Sequence, residues 1–200
     1  MQIFFILLRH ELKINLRQIS KILASFLFFI IFLSSFYLLT SDQQNQGISS
    51  IVAILFSLIS CLIFSTSEFL KKDFDSGAAE QILLSCDNYE VFVSAKVLAN
   101  WLVCAAPIII ILSIIQPGFV WNAILASFLI NLICCFCGSL SILGNNAPMI
   151  AVVAFPLIIP SLLICASESD SSSNLLALLN IFLGPILVFA TTKIVKIAHE

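Results

Sequence analysis

Residues 22–40 read ILASFLFFIIFLSSFYLLT, nineteen consecutive positions without a charge. At 1.5 Å rise per residue, roughly 20 residues of helix cross the roughly 30 Å hydrocarbon core of a bilayer. Backbone at that depth has no water to bond and must satisfy its own N–H and C=O groups, so such a run is a helix. Five more uncharged runs follow, at 48–66, 97–115, 119–143, 147–166 and 175–192. The chain as a whole is 60% hydrophobic and 10% charged, with a mean hydropathy of +1.13. The expected class is therefore all-α, a polytopic membrane protein with six transmembrane helices. With 200 residues, the chain holds one transmembrane domain over 1–200 and no globular domain.

Charge sets the topology. The basic residues fall in three islands: Arg9, Lys13, Arg17 and Lys21; then Lys71, Lys72 and Lys96; then Lys193 and Lys196. The connections near Asp42, Pro117 and Glu168–Asp170 carry none. Short cytoplasmic segments are enriched in Lys and Arg, so both termini are expected in the cytoplasm. The loop 144–148 is expected there too, although it has no basic residue. Merging the fourth and fifth spans would put Lys193 and Lys196 outside, so six spans is the better count. A cleavable signal peptide is not expected, because the first apolar run is too long for one and starts late. The stretch SESDSSSN at 167–174 reads as a short solvated external loop.

The spans as drawn contain no Asp, Glu, Lys, Arg or His. Ion-coupled carriers usually need such groups in the bilayer, so a self-powered transporter is not expected. None of the six glycines is followed by Lys, which excludes the usual phosphate-cradling loop. ATP-driven work would have to come from a partner, and no enzyme activity is expected of this chain. The two histidines, His10 and His199, are far apart and form no recognisable catalytic or metal pair. Cys134, Cys135 and Cys137 cluster within an apolar run, where Cys is a small polarizable hydrophobe; a thiol pair or metal site is the sharper alternative. No nucleic-acid partner is expected.

Pro156 and Pro160 stand one turn apart in the fifth span. Proline kinks a membrane helix and frees carbonyls, so this span is expected to bend, as part of a cavity or moving element or as a packing kink. Asn100 and Asn131 are candidates for hydrogen bonds between helices.

Two cytoplasmic segments carry the most information. In 1–21, Phe5, Leu8, Leu12, Leu16 and Ile19 recur at helical spacing, while Arg9, Lys13 and Arg17 stack four apart on another face. That pattern predicts an N-terminal amphipathic helix lying in the interface, basic side toward anionic headgroups of membrane lipid. It serves as a topology anchor or a docking element. In 67–95, the pairs Glu68/Lys72 and Lys71/Asp75 at i, i+4 favour a helix, Gly77 breaks it, and 78–84 starts a second. Phe69, Phe74, Ile82 and Leu83 give this hairpin an apolar edge suited to a groove on another protein; the alternative is a solvated loop.

Over nearly its whole length the chain resembles the CcmB family, the membrane subunit of the haem exporter in cytochrome c maturation. The resemblance rests on Arg9-x-Glu11-Leu12-Lys13 with Arg17, and on Phe69-x-x-x-Asp73…Gly77-x-x-Glu80-Gln81-Ile82. Ala95-Lys96-Val97…Trp101 and Pro156-Leu157-x-Ile159-Pro160…Leu163 complete it. Ser76 stands where the family tends to have Asp, Ala78 and Ala79 replace Ser and Leu, and the 144–148 loop lacks the family's basic residues. The resemblance implies an ABC-2 exporter-type permease in a bacterial inner membrane or an organelle's inner membrane. It implies a homodimer, a CcmA-like ATPase subunit that supplies ATP hydrolysis, and CcmC-, CcmD- and CcmE-like haem-handling subunits. Glu68, Phe69, Lys72, Asp73, Gly77, Glu80 and Gln81 would form the coupling hairpin received by the ATPase. Haem would be a substrate rather than a bound cofactor. Two alternatives stand beside export: a mechanical relay that releases a loaded haem chaperone, and an ABC-2 permease for a lipid, polysaccharide or drug.

Overall fold

The computed structural model describes residues 2–17, 19–40, 46–66, 70–85, 88–115, 117–143, 147–166 and 170–199. Among them there is no strand. The helices are α1 (Gln2–Arg17), α2 (Ile19–Thr40), α3 (Gln46–Thr66), α4 (Lys71–Asp75), α5 (Ala78–Ser85), α6 (Tyr89–Ile115), α7 (Val120–Leu143), α8 (Ala147–Ala166) and α9 (Asp170–His199). The six apolar runs thus coincide with α2, α3 and α6–α9. By length and apolar composition α6, α7 and α9 can each cross a membrane, and shorter apolar stretches mark α2, α3 and α8. The expected all-α polytopic architecture holds.

α7 is the axis of the bundle. Of its apolar stretch 72% is buried, against 28% for α9, and it touches α3, α6, α8 and α9. Leu129 and Ile130 of α7 meet Leu58 and Leu62 of α3 and Ile108 and Leu112 of α6 in one fully buried core. α2 lies along α3 through two ring pairs, Phe28–Phe64 at 4.7 Å and Phe32–Phe56 at 5.7 Å. Their reversed order shows that α2 and α3 run antiparallel. α6 and α7 are also antiparallel, since Trp101 Nε1 donates to Ser127 Oγ at 3.2 Å while Asn131 Nδ2 donates to the Val97 carbonyl at 3.2 Å. α7 and α9 run parallel: Asn122 Nδ2 donates to Ser172 Oγ at 3.3 Å and Asn180 Nδ2 to the Leu125 carbonyl at 3.0 Å.

These directions place α1, the α4–α5 hairpin, the start of α6 and the end of α9 at one end of the bundle. The outcome agrees with the charge-derived topology, in which the same segments share a side. The boundaries differ in two places. α6 begins at Tyr89, well before the expected span start, and carries Glu90 and Lys96. The drawn span 97–115 holds no ionisable group, as expected, but the helix that carries it extends back over both charges, and Lys96 is buried there against two carboxylates. α9 begins at Asp170, so 170–174 is helix rather than loop, with Ser172 buried. Ser and Asp favour helix starts, where their oxygens accept otherwise unbonded N–H groups.

α8 runs as one helix through Pro156 and Pro160, and both side chains face outward. Cys134, Cys135 and Cys137 are unbridged and buried; the Cys135 thiol donates toward Asn131 Oδ1 at 3.9 Å.

Candidate functional site

At the end of the bundle shared by α1, the hairpin and α6, three charges meet in a largely dry setting. Asn88 leads into α6: its carbonyl accepts the Phe92 N–H at 3.4 Å, and Glu90 in the first turn suits the positive end of the helix dipole. The following turns are buried at Phe92, Val93, Ala95, Val97 and Ala99, although the first three precede the expected span. α1 packs over them.

Within that apolar stretch, Lys96 is only 6% exposed and Glu11 only 3%. Charged side chains are almost never so buried unless paired. Lys96 is paired twice. Its Nζ contacts Asp73 Oδ2 of α4 directly and stands 3.6 Å from Glu11 Oε2 of α1. The ammonium also lies 5.5 Å from the centre of the Phe92 ring, a favourable cation–π position. Two carboxylates therefore share one lysine, leaving one net negative charge. Asp73 is the accessible member, its side chain 29% exposed.

The hairpin is shaped to bring Asp73 there. The Leu70 carbonyl accepts the N–H groups of Asp73 at 3.1 Å and Phe74 at 3.2 Å, and Leu70 itself is fully buried. α4 ends where the Gly77 N–H reaches the Phe74 carbonyl at 3.0 Å. Gly77 has φ +70°, the left-handed region that side-chain-bearing residues avoid, and it starts the next helix by accepting the Gln81 N–H at 3.4 Å. A Cβ at Gly77 would meet no atom within 4 Å, so conformation, not space, demands glycine.

One turn further into α6 a second, uncharged network begins. Asn100 Nδ2 donates to Asn131 Oδ1 of α7 at 2.9 Å, and Ser65 of α3 donates to Asn100 Oδ1 at 3.3 Å. Ser65 Oγ is also 2.7 Å from Cys104 Sγ. Ser65 lies at the end of α3, just before the chain leaves for the hairpin. The hairpin is thus held from two sides, by its covalent link to α3 and by Asp73 on Lys96. Lys96 ties α4 to α6 through Asp73 and α6 to α1 through Glu11, and Asn100 ties α6 to α3 and α7.

Among the expected hairpin residues, Gly77 makes the turn and Gln81 is exposed, while Asp73 faces inward onto Lys96. Phe74 and Ile82 are half-buried against the chain's own core, so the edge expected to face a partner is turned inward at these positions. Glu68 and Phe69 lie outside the described residues, as do the side chains of Lys72, Glu80 and Leu83. Arg9, Lys13 and Arg17 are exposed along one side of α1. The expected apolar face of α1 is divided: Leu8 and Leu12 pack inward, while Phe5 (64% exposed) and Leu16 (59%) face out. Glu11 and Lys96 were not anticipated as a pair. Their signal is, for Glu11, its place on the Leu7, Leu8 and Leu12 side of α1, away from Arg9 and Lys13, and, for Lys96, its isolation as a charge between Ala95 and Val97.

A family model described as "CcmB protein" matches residues 2–199. A relative named "Heme exporter protein B", from Haemophilus influenzae, is 24% identical over 183 residues, covering 85% of this chain and 82% of the relative.

Proposed function

The chain belongs to the CcmB family, and from that membership we propose that it is the membrane subunit of an ABC-type haem exporter serving c-type cytochrome biogenesis. The match over nearly the full length supports that reading, and so does a relative of almost the same extent named for haem export. The single observation that carries the mechanism is the joint at Lys96, which binds the hairpin to both α1 and α6. A partner ATPase, CcmA-like, would grip the hairpin through the exposed Gln81, together with Glu68, Phe69, Lys72 and Glu80. Closure of the ATPase would then move α4, and Asp73 would carry that motion to Lys96. The chain supplies no nucleotide site of its own. Two copies of it, with CcmC-, CcmD- and CcmE-like subunits, would complete the assembly in the bacterial inner membrane. Both termini and the hairpin would be cytoplasmic. The whole of 1–200 acts as one permease domain, with 1–21 as connecting helix and 67–95 as coupling segment.

A second reading is favoured by one observation. Haem carries two propionates, and burying unpaired anions costs several kcal/mol per charge. Among the described residues Lys96 is the one buried lysine, and two carboxylates already hold it. ATP-driven release of a loaded haem chaperone, with no haem passing through this chain, needs no such cation. Reconstitution of the purified complex in vesicles separates the two. ATP-dependent haem accumulation supports export, and chaperone release without accumulation supports the relay. Neither signal, with the complex intact and hydrolysing ATP, would refute both.

A further inference from the structure

We infer that the lateral trough between α6, α7 and α9 is a binding site for one anionic phospholipid of the leaflet next to the basic ends of the chain. Its deep part, about 760 Å³, is walled by Phe128 and Leu132 of α7 and by Ile181, Val188 and Phe189 of α9. It continues into a polar mouth of about 280 Å³, formed by Asn88, Tyr89, Thr192, Lys193 and Lys196. Glu90 and Phe189 line both compartments, so the two are one site.

Three properties select the occupant. The first is length: from Asn180 to Lys196 the trough follows α9 for about 24 Å at the helical rise. One leaflet from headgroup to midplane measures about 20–22 Å, whereas a compact apolar ligand would fill only part of that span. The second is polarity, apolar at the depth of an acyl chain and hydrogen-bonding at the depth of a headgroup. The third is charge. Among the described residues that line the mouth, Lys193 and Lys196 are basic and Glu90 is acidic. The Lys193 ammonium sits 5.3 Å from the centre of the Phe189 ring, where the wall changes from apolar to polar and where a phosphate would lie. This site is independent of the exporter reading and would exist whatever the complex moves.

Trp101 reports on it. Its ring is 5.6 Å from that of Phe128, behind the apolar wall, and the chain's other tryptophan, Trp121, is removed by W121F. The full chain carrying W121F is placed in nanodiscs with either brominated-chain phosphatidylglycerol or brominated-chain phosphatidylcholine at equal mole fraction. The expected result is about fivefold tighter quenching by the anionic lipid, the effect of about one basic side chain near a membrane surface. K193Q/K196Q should abolish the preference and E90Q should increase it. Equal quenching by the two lipids would overturn the inference, as would a preference that survives K193Q/K196Q.

Discussion

Replacing Lys96 by Met removes the cation and leaves two carboxylates facing one another at the base of α6. Glu11 is almost fully buried, with a side-chain exposure of 4%, and Asp73 is partly screened at 29%. Breaking a buried pair by deleting one partner costs about 3–5 kcal/mol, because a charge is stranded where water cannot reach it. Here Glu11 would be stranded outright, and Asp73 could turn part-way to solvent. The expected loss is therefore about 3–5 kcal/mol, most of it from Glu11. The sign of the effect in a triple variant is the sharper test. E11Q/D73N/K96M carries no charge at the joint, and replacing a whole buried ionic set by neutral groups is often close to neutral. Unfolding in mixed micelles, titrated with a denaturing detergent, should show K96M strongly destabilised and the triple variant largely recovered. If K96M unfolds within about 1 kcal/mol of the parent, the usual range for an exposed pair, the joint is not buried as described.

Gly77→Ala should cost about 1–2 kcal/mol, the penalty for holding a side-chain-bearing residue in the left-handed region, and circular dichroism with the same titration would detect it. Asn100→Leu should cost about 0.6–1.7 kcal/mol, the range for hydrogen bonds between membrane helices. N100L/N131L should cost less than the sum of the two single changes, since it leaves no orphaned amide partner; additive losses would show the pair is not coupled. Gln81→Ala, at an exposed position, should leave stability within about 0.5 kcal/mol while weakening co-purification of the ATPase. Unchanged capture of the ATPase by Q81A would remove Gln81 from the docking surface. Leu58→Ala, fully buried against α6 and α7, should cost about 2–5 kcal/mol, read from the same titration.

The six membrane helices were legible because bilayer thickness and backbone hydrogen bonding leave a long uncharged run one solution. The hairpin was legible through Gly77, whose surroundings offered a break between two short helical patterns. What periodicity could not give was the direction each face takes. The spacing of Phe5, Leu8, Leu12 and Leu16 defines an apolar face, yet the side of α1 that meets α6 is centred on Glu11. That choice depends on a cation five helices later in the chain. Lys96 in turn read as a boundary residue because a charge normally ends a span, and only two carboxylates from distant segments allow it inside a helix. Phe74 and Ile82 read as a docking edge for the same reason: an apolar stripe does not reveal whether its partner is another protein or its own core. The 170–174 segment failed differently, since serine and aspartate suit both loops and helix starts.

The central claim, that force passes from hairpin to membrane helices through Lys96, is tested most directly by reversing the pair in the assembled complex. D73K and K96E each break the joint, whereas D73K/K96E in an E11Q background restores one ion pair between α4 and α6 without setting two carboxylates side by side. ATP hydrolysis and ATP-driven haem delivery are measured together in reconstituted vesicles. Each single variant should still assemble and hydrolyse ATP but lose delivery, and the double variant should recover much of it. Delivery that persists in the single variants would contradict the account, and so would a double variant as inactive as either.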